Sequence, residues 1–290
     1  MDVSVILVSY NTKNLTRDCL SSIYEKTTDI EFDVFVVDNN SHDGSPEMIE
    51  QEFPQVHLIK NPDNKGFGAA NNIAIFQSNA KYVFCLNTDT LLIDNSIKNF
   101  YDFMENNENI GACGGVLYNN DNSPLVCGGH FPTIKEILWK FGLNKVLKKQ
   151  YRKIAMANNS DEADLIETLD YVTGADIFIR KSVLQEIGGF DEDFFMYYEE
   201  TELCKRIHDA GYKIKLLPQV KIIHLESKSV KNSEWKNTQL YKSRFIYYKK
   251  SYNKFAYVLI KILYSAMFLL NPKYRKEEFR LTHFIAMWKS

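Results

Sequence analysis

The segment Tyr82-Val-Phe-Cys-Leu-Asn87-Thr-Asp89-Thr90 decides the fold, because a strongly apolar run ends there on polar side chains. Residues 82–86 have the near-continuous hydrophobicity of a strand covered on both faces, as in parallel sheets flanked by helices. An earlier run, Asp33-Val-Phe-Val-Val-Asp38, has the same form and also ends on a carboxylate. Ligands of such sheets bind just beyond the carboxyl ends of the strands. Two aspartates at that edge predict a polar ligand that brings a cation.

Strand and helix patterns alternate through the first 110 residues. Strands are predicted at 3–9, 34–37, 56–59 and 82–86, and each is followed by a helical pattern. This order predicts parallel pairing with right-handed crossovers. The pattern then changes to a hairpin around 119–124, an irregular basic segment at 133–163, and strand signals at 177–179, 213–217 and 220–224.

Composition limits the class of protein. The 290 residues are 45% hydrophobic and 25% charged, which is ordinary for a globular chain. The five cysteines form no Cys-x-x-Cys pair, so we interpret them as buried small hydrophobes in a reducing compartment rather than as zinc ligands or disulfides. No signal peptide is expected, because the sequence opens on a strand-like run without a basic n-region.

Charge is unevenly distributed along the chain. Residues 227–290 hold 14 Lys and Arg against three Glu, a net charge of +11, whereas the whole chain carries −2. Such asymmetry indicates a surface for nucleic acid or anionic membrane, although a solvated helical face explains it as well. The apolar run at 255–270 has only sixteen residues with Lys261 among them, and a spanning helix needs about 20. It predicts an interfacial or protein-packed helix.

The acidic run Glu199-Glu200-Thr-Glu202 begins a predicted helix. Helical spacing places Glu200 on the same face as the apolar residues three, four and seven positions later. An inward carboxylate suits a general base. Glu202 lies four residues before Arg206, the spacing of an exposed salt bridge. The alternative, acidic residues that stabilise a helix N-terminus, explains Glu199 and Glu202 but explains Glu200 poorly.

Three further features are ambiguous when each is taken alone. The segment Asn64-Lys-Gly-Phe-Gly-Ala-Ala-Asn-Asn72 either cradles a phosphate or needs its glycines for geometry only. It is not a dinucleotide fingerprint, because no Gly-rich turn follows the first strand. Asp89 is explained equally well as a cation ligand or as the start of a turn. A lone histidine at a strand end, such as His224, is more often structural than a metal ligand.

In order along the chain, eight motifs resemble those of the inverting family 2 glycosyltransferases of the GT-A fold, over about residues 2–227. The motifs are Val8-Ser-Tyr-Asn11, Val37-Asp-Asn-Asn-Ser-His-Asp-Gly44, Asn64-Lys-Gly-Phe-Gly-Ala-Ala-Asn-Asn72, Asn87-Thr-Asp89, Thr173-Gly-Ala175, Gly188-Gly-Phe-Asp191, Glu199-Glu200 and His224. Asn87 replaces the first acid of the family's Asp-x-Asp motif, as is common in the rhamnosyltransferase-like branch. Glu200 is longer than the Asp that the family usually has.

The resemblance implies an α/β fold with a Rossmann-like mixed sheet, helices on both faces and a C-terminal helical extension. It implies a GT-A catalytic domain over 1–227, with a nucleotide-binding half at 1–110. The acceptor half at 111–227 would contain an insertion at 128–170. Residues 228–290 would form the basic, aromatic helical extension.

The resemblance also implies roles for individual residues. Glu200 would be the catalytic base, and Asp89 and His224 would hold a divalent cation, Mg²⁺ or Mn²⁺. Asp38 would accept a hydrogen bond from the pyrimidine of the donor. The implied donor-binding residues are Ser9, Tyr10, Asn11, Asp38, Asn64, Lys65, Gly66, Asn71, Asn87 and Asp89. The implied acceptor cleft consists of Thr173, Gly174, Ala175 and Glu199.

The function that the resemblance implies is transfer of a sugar, with inversion, in bacterial surface polysaccharide synthesis. The donor would be dTDP-rhamnose or a UDP-sugar, and the acceptor a glycan or lipid-linked glycan. The protein would be cytoplasmic and peripheral on the inner face of the plasma membrane, with contact through residues 228–290. No nucleic-acid partner is expected, and a homodimer is compatible with this interpretation.

Two other enzyme classes do not fit the sequence. A glycoside hydrolase needs two carboxyls that face each other across the bond, which the adjacent Glu199 and Glu200 do not supply. A sugar-nucleotide pyrophosphorylase would show a Gly-rich turn after the first strand. The remaining alternative is a catalytically weak carbohydrate- or partner-binding protein on the GT-A fold, because the departures at Asn87 and Glu200 leave room for it.

Overall fold

The computed structural model describes residues 1–140, 169–225, 233–270 and 288. The strands in these ranges are β1 Val3–Ser9, β2 Phe32–Asp38, β3 His57–Lys60, β4 Tyr82–Asn87, β5 Thr90–Leu92, β6 Ile110–Tyr118, β7 Gly128–Gly129, β8 Tyr171–Val172, β9 Asp176–Arg180 and β10 Lys213–His224. The helices are α1 Lys13–Lys26, α2 Ser45–Glu52, α3 Phe67–Gln77, α4 Ser96–Glu105, α5 Ile134–Lys140, α6 Lys181–Ile187, α7 Glu199–Asp209, α8 Ser233–Ser251 and α9 Lys254–Leu270.

Eight strands form one mixed sheet in the order β3-β2-β1-β4-β9-β6-β10-β5. The first half is parallel, as the alternation of strands and helices predicts. β9 enters antiparallel between β4 and β6, and β5 pairs antiparallel with β10 at the far edge. The predicted mixed sheet is confirmed.

The central strands are buried because helices cover both faces of the sheet. Residues 3–7 of β1 and 82–86 of β4 are at most 1% exposed. α1 contributes Cys19, Leu20 and Ile23, which lie at helical spacing and are fully buried. The continuous apolar runs of the sequence are therefore interior strands.

Two sequence expectations need correction in the second half of the sheet. The turn around 119–124 exists, but Gly128–Gly129 pairs with Tyr171–Val172 in a small separate sheet instead of extending the hairpin. The segments expected as two strands at 213–217 and 220–224 form one strand, β10. Its register is irregular between Leu217 and Lys221, which accommodates Pro218, a residue that cannot donate a ladder hydrogen bond.

The C-terminal helices α8 and α9 pack on α5 around an aromatic cluster, which we call the C-terminal cluster. Its buried members are Ile137, Phe194, Phe245, Tyr247, Tyr248, Ile260, Tyr264 and Met267. No helix in the described ranges has the length and hydropathy needed to cross a bilayer. Most of the predicted insertion at 128–170 lies outside the described residues.

Candidate active site

The carboxyl ends of three neighbouring strands form the floor of the candidate site. β1 pairs with β2 so that Ser9 lies opposite Asp38. β4 pairs with β1 on its other side and ends at Asn87. The sheet thus places the three predicted polar strand ends side by side.

Asp38 keeps one carboxylate oxygen without a partner. Its Oδ2 accepts a hydrogen bond from the backbone N–H of Ser41 at 2.8 Å. Its Oδ1 is buried and has no hydrogen-bond partner among the described residues. A buried acceptor of this kind is unfavourable unless a ligand completes it. Asp38 is therefore suited to accept an N–H from a bound molecule.

The other residues predicted for the nucleotide pocket differ in what they offer. Tyr10 is 48% exposed and can contact a ligand directly. Ser9 is fully buried with its hydroxyl 3.3 Å from that of Thr12, so its side chain supports the pocket wall. The Asn11 side-chain oxygen accepts the backbone N–H of His42 at 2.8 Å and so braces the loop after β2.

The loop from Asn64 to Gly66 is held by an asparagine that the motif analysis did not single out. Asn39 Nδ2 donates to Asn64 Oδ1 at 3.2 Å and to the Gly66 carbonyl at 3.1 Å. Asn39 Oδ1 in turn accepts from Asn61 Nδ2 at 2.8 Å. The usable signal was the position of Asn39 directly after the Asp that ends β2.

Lys65 and Asn71, both predicted for donor binding, occupy opposite environments. The Lys65 side chain is exposed, and its Nζ lies 2.7 Å from the Asp63 carboxylate. Asn71 is fully buried in α3, where its Nδ2 donates to the Phe67 carbonyl at 3.0 Å. Lys65 is thus the accessible member of the two.

Asp89 and His224 come together because β5 runs antiparallel to β10, with Thr90 opposite His224. The Asp89 carbonyl accepts the Leu225 N–H at 2.8 Å, which fixes the turn after β4 to the end of β10. Asp89 Oδ1 lies 3.2 Å from His224 Nε2, and their side chains are 14% and 17% exposed.

This pair fits a divalent cation that arrives with its substrate. The part of the chain that the structure describes has no group of three or more His, Cys, Asp or Glu side chains able to hold an ion by themselves. Mg²⁺ typically takes one or two carboxylates, waters and substrate phosphate oxygens. Asp89 and His224 are two donors of the kind that such an ion takes from a protein when phosphate oxygens and waters supply the others.

The segment Thr173-Gly-Ala175 lies between the end of β4 and the start of α7. The Ala175 carbonyl accepts the backbone N–H of Asn87 at 2.9 Å. A Cβ added at Gly174 would lie 3.5 Å from the Cβ of Glu200. The predicted acceptor segment is thus next to both the end of β4 and the predicted base.

Glu199 and Glu200 begin α7 and face different neighbours. Glu200 is partly exposed, and its Oε1 accepts the Thr201 hydroxyl at 3.0 Å. Glu199 is 5% exposed and faces Gly68 of α3, and its Oε2 has no partner in the described ranges. Burial raises the pKa of both carboxyls, and the charge of Glu200 raises the pKa of Glu199 further. A raised pKa makes Glu200 a better base near neutral pH.

The prediction that Glu200 alone faces inward is wrong. Glu199, Thr201 and Glu202 are all buried, whereas Glu200 is intermediate. Arg206 Nε does bind Glu202 Oε1, at 2.8 Å, but the two side chains are only 27% and 10% exposed, so the pair is not the exposed salt bridge that we expected. Reasoning from one helix face fails because α7 packs against α3, α6, β6, β8 and β10 together.

Asn72 is a second structural asparagine that sequence reasoning missed. Its Nδ2 donates to the Phe190 carbonyl and its Oδ1 accepts the Phe190 N–H, both at 2.8 Å. This reciprocal pair fixes the turn before α7 to α3. A Cβ at Gly189 would lie 2.3 Å from Asn72 Oδ1, so the close approach requires glycine.

The family description that matches the first half of the chain is Glycosyl transferase family 2, over residues 4–163. Glycosyl transferase family 21 matches residues 141–283. The chain is 24% identical to a low-salt glycan biosynthesis hexosyltransferase of Haloferax volcanii, over 95% of this chain and 86% of that protein. It is 24% identical to an N-acetylglucosaminyl-diphospho-decaprenol L-rhamnosyltransferase of Mycobacterium tuberculosis, over 78% of this chain and 76% of that protein. A dTDP-rhamnosyl transferase of Shigella flexneri is 27% identical, over 79% and 71%.

Solved structures share the fold. A mannosyltransferase from Pyrobaculum calidifontis in complex with GDP-Man and Mn²⁺ matches with a TM-score of 0.61 and 16% identity, over 99% of this chain and 86% of that one. Residues 1–349 of S. aureus TarS in complex with UDP match with a TM-score of 0.57 and 16% identity, over 94% and 73%. At such identity the likeness establishes the GT-A fold only.

Proposed function

The chain belongs to glycosyl transferase family 2, whose model matches more than half of it, and we propose that it is an inverting, metal-dependent transferase of dTDP-rhamnose or a UDP-sugar. The family match, together with the rhamnosyltransferase relatives, identifies the chain as a glycosyltransferase. The observation that carries the donor class is the unpaired Oδ1 of Asp38 at the end of β2. Thymine and uracil present an N3–H that this oxygen can accept, and guanine presents an N1–H, so the choice of a pyrimidine donor also rests on the dTDP-rhamnosyl relative.

In the proposed reaction, Glu200 accepts the proton of the acceptor hydroxyl as that oxygen attacks the anomeric carbon from the face opposite the nucleotide. The bond from the anomeric carbon to the diphosphate oxygen breaks in the same displacement, and the nucleoside diphosphate leaves with the electron pair. The configuration at the anomeric carbon is thereby inverted. A divalent cation, when bound, offsets the charge of the departing diphosphate. Asp89 and His224 would hold it, and Thr173-Gly-Ala175 would line the acceptor side.

The proposed acceptor is a glycan or lipid-linked glycan of a bacterial surface polysaccharide. The mycobacterial relative supports this choice, because its name specifies a decaprenol-diphosphate acceptor. The proposed division assigns residues 1–227 to catalysis and 228–290 to peripheral contact with the inner face of the plasma membrane. The +11 charge of residues 227–290 supports that contact.

The alternative of a catalytically weak binding protein is not favoured. It rested on the departures at Asn87 and Glu200. The family match and the rhamnosyltransferase relatives give no support to it.

The test is release of nucleoside diphosphate by the purified full chain from dTDP-rhamnose and UDP-sugars, with Mn²⁺ and a polyprenyl-diphosphate glycan as acceptor. We expect transfer that stops in EDTA, with a product of inverted anomeric configuration by NMR. Full activity in EDTA would contradict metal dependence. Failure to use any of these donors would contradict the donor class.

A further inference from the structure

The C-terminal helices contact the loop that precedes the glutamates, and we propose that Arg244 on α8 is a positioning residue for Glu200. The loop comprises residues 191–198 and is called the catalytic loop below. This inference goes beyond the assignment of residues 228–290 to membrane contact. It rests on the proposed function only for the role of Glu200 as the base.

Two consecutive tyrosines end the catalytic loop in left-handed backbone conformation. Tyr197 has φ +67° and Tyr198 has φ +70°, values that bulky side chains rarely adopt. Tyr198 stands directly before α7, and its carbonyl accepts the Glu202 N–H at 2.9 Å. Strained residues persist where surrounding contacts hold them. The position of Glu199 and Glu200 therefore depends on whatever restrains these tyrosines.

Arg244 restrains Tyr198 directly. Its Nε donates to the Tyr198 hydroxyl at 2.7 Å. The guanidinium carbon also lies 5.7 Å from the centroid of the Tyr198 ring and 5.2 Å from that of Tyr241, within cation–π distance. Arg244 thus binds both the hydroxyl and the ring of the residue next to Glu199.

Other side chains of α8 bind earlier positions of the catalytic loop. The Ser243 hydroxyl donates to the Met196 carbonyl at 2.7 Å. Lys250 Nζ lies 2.6 Å from the carboxylates of both Asp191 and Asp193. These contacts hold the start and middle of the loop, whereas Arg244 acts at its end.

The opposite side of the catalytic loop contacts the loop from Asn64 to Gly66, which is called the donor loop below. The Phe195 carbonyl accepts the Phe67 N–H at 2.9 Å, directly after Gly66. On its other side, the Phe195 ring packs against Trp235 of α8, with centroids 6.3 Å apart. One loop thus connects α8, the donor loop and the glutamates. Loss of Arg244 should loosen its last residues and leave Asp38 and Asp89 in place.

The test compares Arg244→Met with Lys242→Met, a matched control at an exposed position of the same helix. Amide hydrogen exchange of the peptide spanning 194–203 is measured in the full chain, together with kcat, donor KM and UDP affinity. Arg244→Met should speed exchange in this peptide but not in β1 or β4. It should lower kcat by about 10- to 100-fold, the scale of a small misplacement of a catalytic group. Donor KM and UDP affinity should not change, and Lys242→Met should behave like the wild type.

Tyr198→Phe tests the same contact with a smaller change, because it removes only the hydroxyl that Arg244 binds. It keeps the proposal testable if Arg244→Met fails to fold. It should act in the same direction, and its effect should not add to that of Arg244→Met. Unchanged exchange in both variants would overturn the proposal, and so would faster exchange with unchanged kcat. A wild-type protein that uses no donor would refute the proposed function, while the exchange data would still decide whether Arg244 holds the loop.

Discussion

Two carboxylate oxygens in the candidate site, Oδ1 of Asp38 and Oε2 of Glu199, are buried and lack a hydrogen-bond partner among the described residues. A buried polar atom left in this state destabilises a fold by about 1–3 kcal/mol. The two residues lie in different parts of the site. Asp38 lies at the strand end where a base would bind, and Glu199 lies against α3 beside Glu200.

Asp38→Asn should weaken UDP and dTDP binding by about 10- to 150-fold, equivalent to the roughly 1.5–3 kcal/mol of a hydrogen bond to a charged group. The amide can still accept from Ser41, but it then presents its NH₂ to the N3–H of the base. Isothermal titration calorimetry measures the change. Asp33→Asn at the other end of β2 is the control, and equal affinity in wild type and Asp38→Asn would contradict the pocket assignment.

Glu200→Gln should abolish transfer and leave nucleotide binding intact, because glutamine keeps the shape of the side chain but cannot accept the proton. In the wild type, activity should rise with pH as Glu200 loses its proton, at a pH above the usual range of a glutamate because burial raises its pKa. Turnover is followed by release of nucleoside diphosphate. If Glu199→Gln is inactive and Glu200→Gln is active, the roles are reversed.

Glu199→Gln should stabilise the protein at neutral pH. Burial raises the pKa of Glu199 in the folded state, so folding favours its protonated form. Near about pH 4, Glu199 is largely protonated in the unfolded chain as well, so its raised pKa costs the fold little stability. At higher pH the unfolded chain releases this proton more readily than the folded protein does, so the cost to the free energy of folding grows. The Tm difference from wild type should therefore increase with pH. Glu202→Gln, which breaks the pair with Arg206, should instead lower Tm, and a pH-independent gain for Glu199→Gln would contradict this account.

At the scale of secondary-structure elements, the sequence pattern predicted those strands whose identity depends on residues close together in the chain. β1, β2 and β4 were recognisable as continuous apolar runs, and the motifs at their ends led to Asp38 and Asp89. The insertion of β9 between β4 and β6 was not predictable, because its pairing joins segments far apart in the chain. A single polar residue such as Arg244 carries no sequence sign of its partner, so its contact with Tyr198 appeared only in the structure.

The start of α3 depends on glycine at Gly66, and Gly44 before α2 is a less demanding position for comparison, because its ψ of 21° places it in the αL region. Both have φ near +80°, but a Cβ at Gly66 would lie 2.3 Å from the Phe195 carbonyl, whereas one at Gly44 would meet the flexible Lys13 side chain at 3.1 Å. Gly44→Ala should lose about 1–2 kcal/mol from backbone strain. Gly66→Ala should lose about 1–3 kcal/mol more, from the steric clash and from a backbone at φ +84° and ψ −179°, a region that is essentially restricted to glycine. Urea unfolding measures both, and equal losses would show that the catalytic loop yields easily.

At the scale of the whole molecule, α9 has apolar residues on two sides. Ile260, Tyr264 and Met267 pack into the C-terminal cluster. Phe255 and Ile262 point outward and are 83% and 53% exposed. A helix with an outward apolar stripe in a strongly basic region has the character of an interfacial helix.

The full chain should therefore bind anionic vesicles, with attraction of about 1 kcal/mol for each basic residue near the surface. Binding should weaken as salt rises, and the double substitution Phe255→Ser, Ile262→Ser should reduce it further by removing apolar contacts. Co-sedimentation measures it. Equal pelleting with neutral and anionic vesicles, or none with either, would contradict this electrostatic attachment and leave packing of this face on the catalytic domain or on a second subunit as the explanation.

All five cysteines are buried free thiols. Burial raises the pKa of Cys19 to about 12 and that of Cys127 to about 11, and it raises the pKa of the thiols in β4, β6 and α7 as well. Because alkylating reagents attack the thiolate, each thiol reacts only when its own segment opens to water. The rate of alkylation under native conditions therefore measures how often the central sheet and the helix of the glutamates open, without any engineered probe.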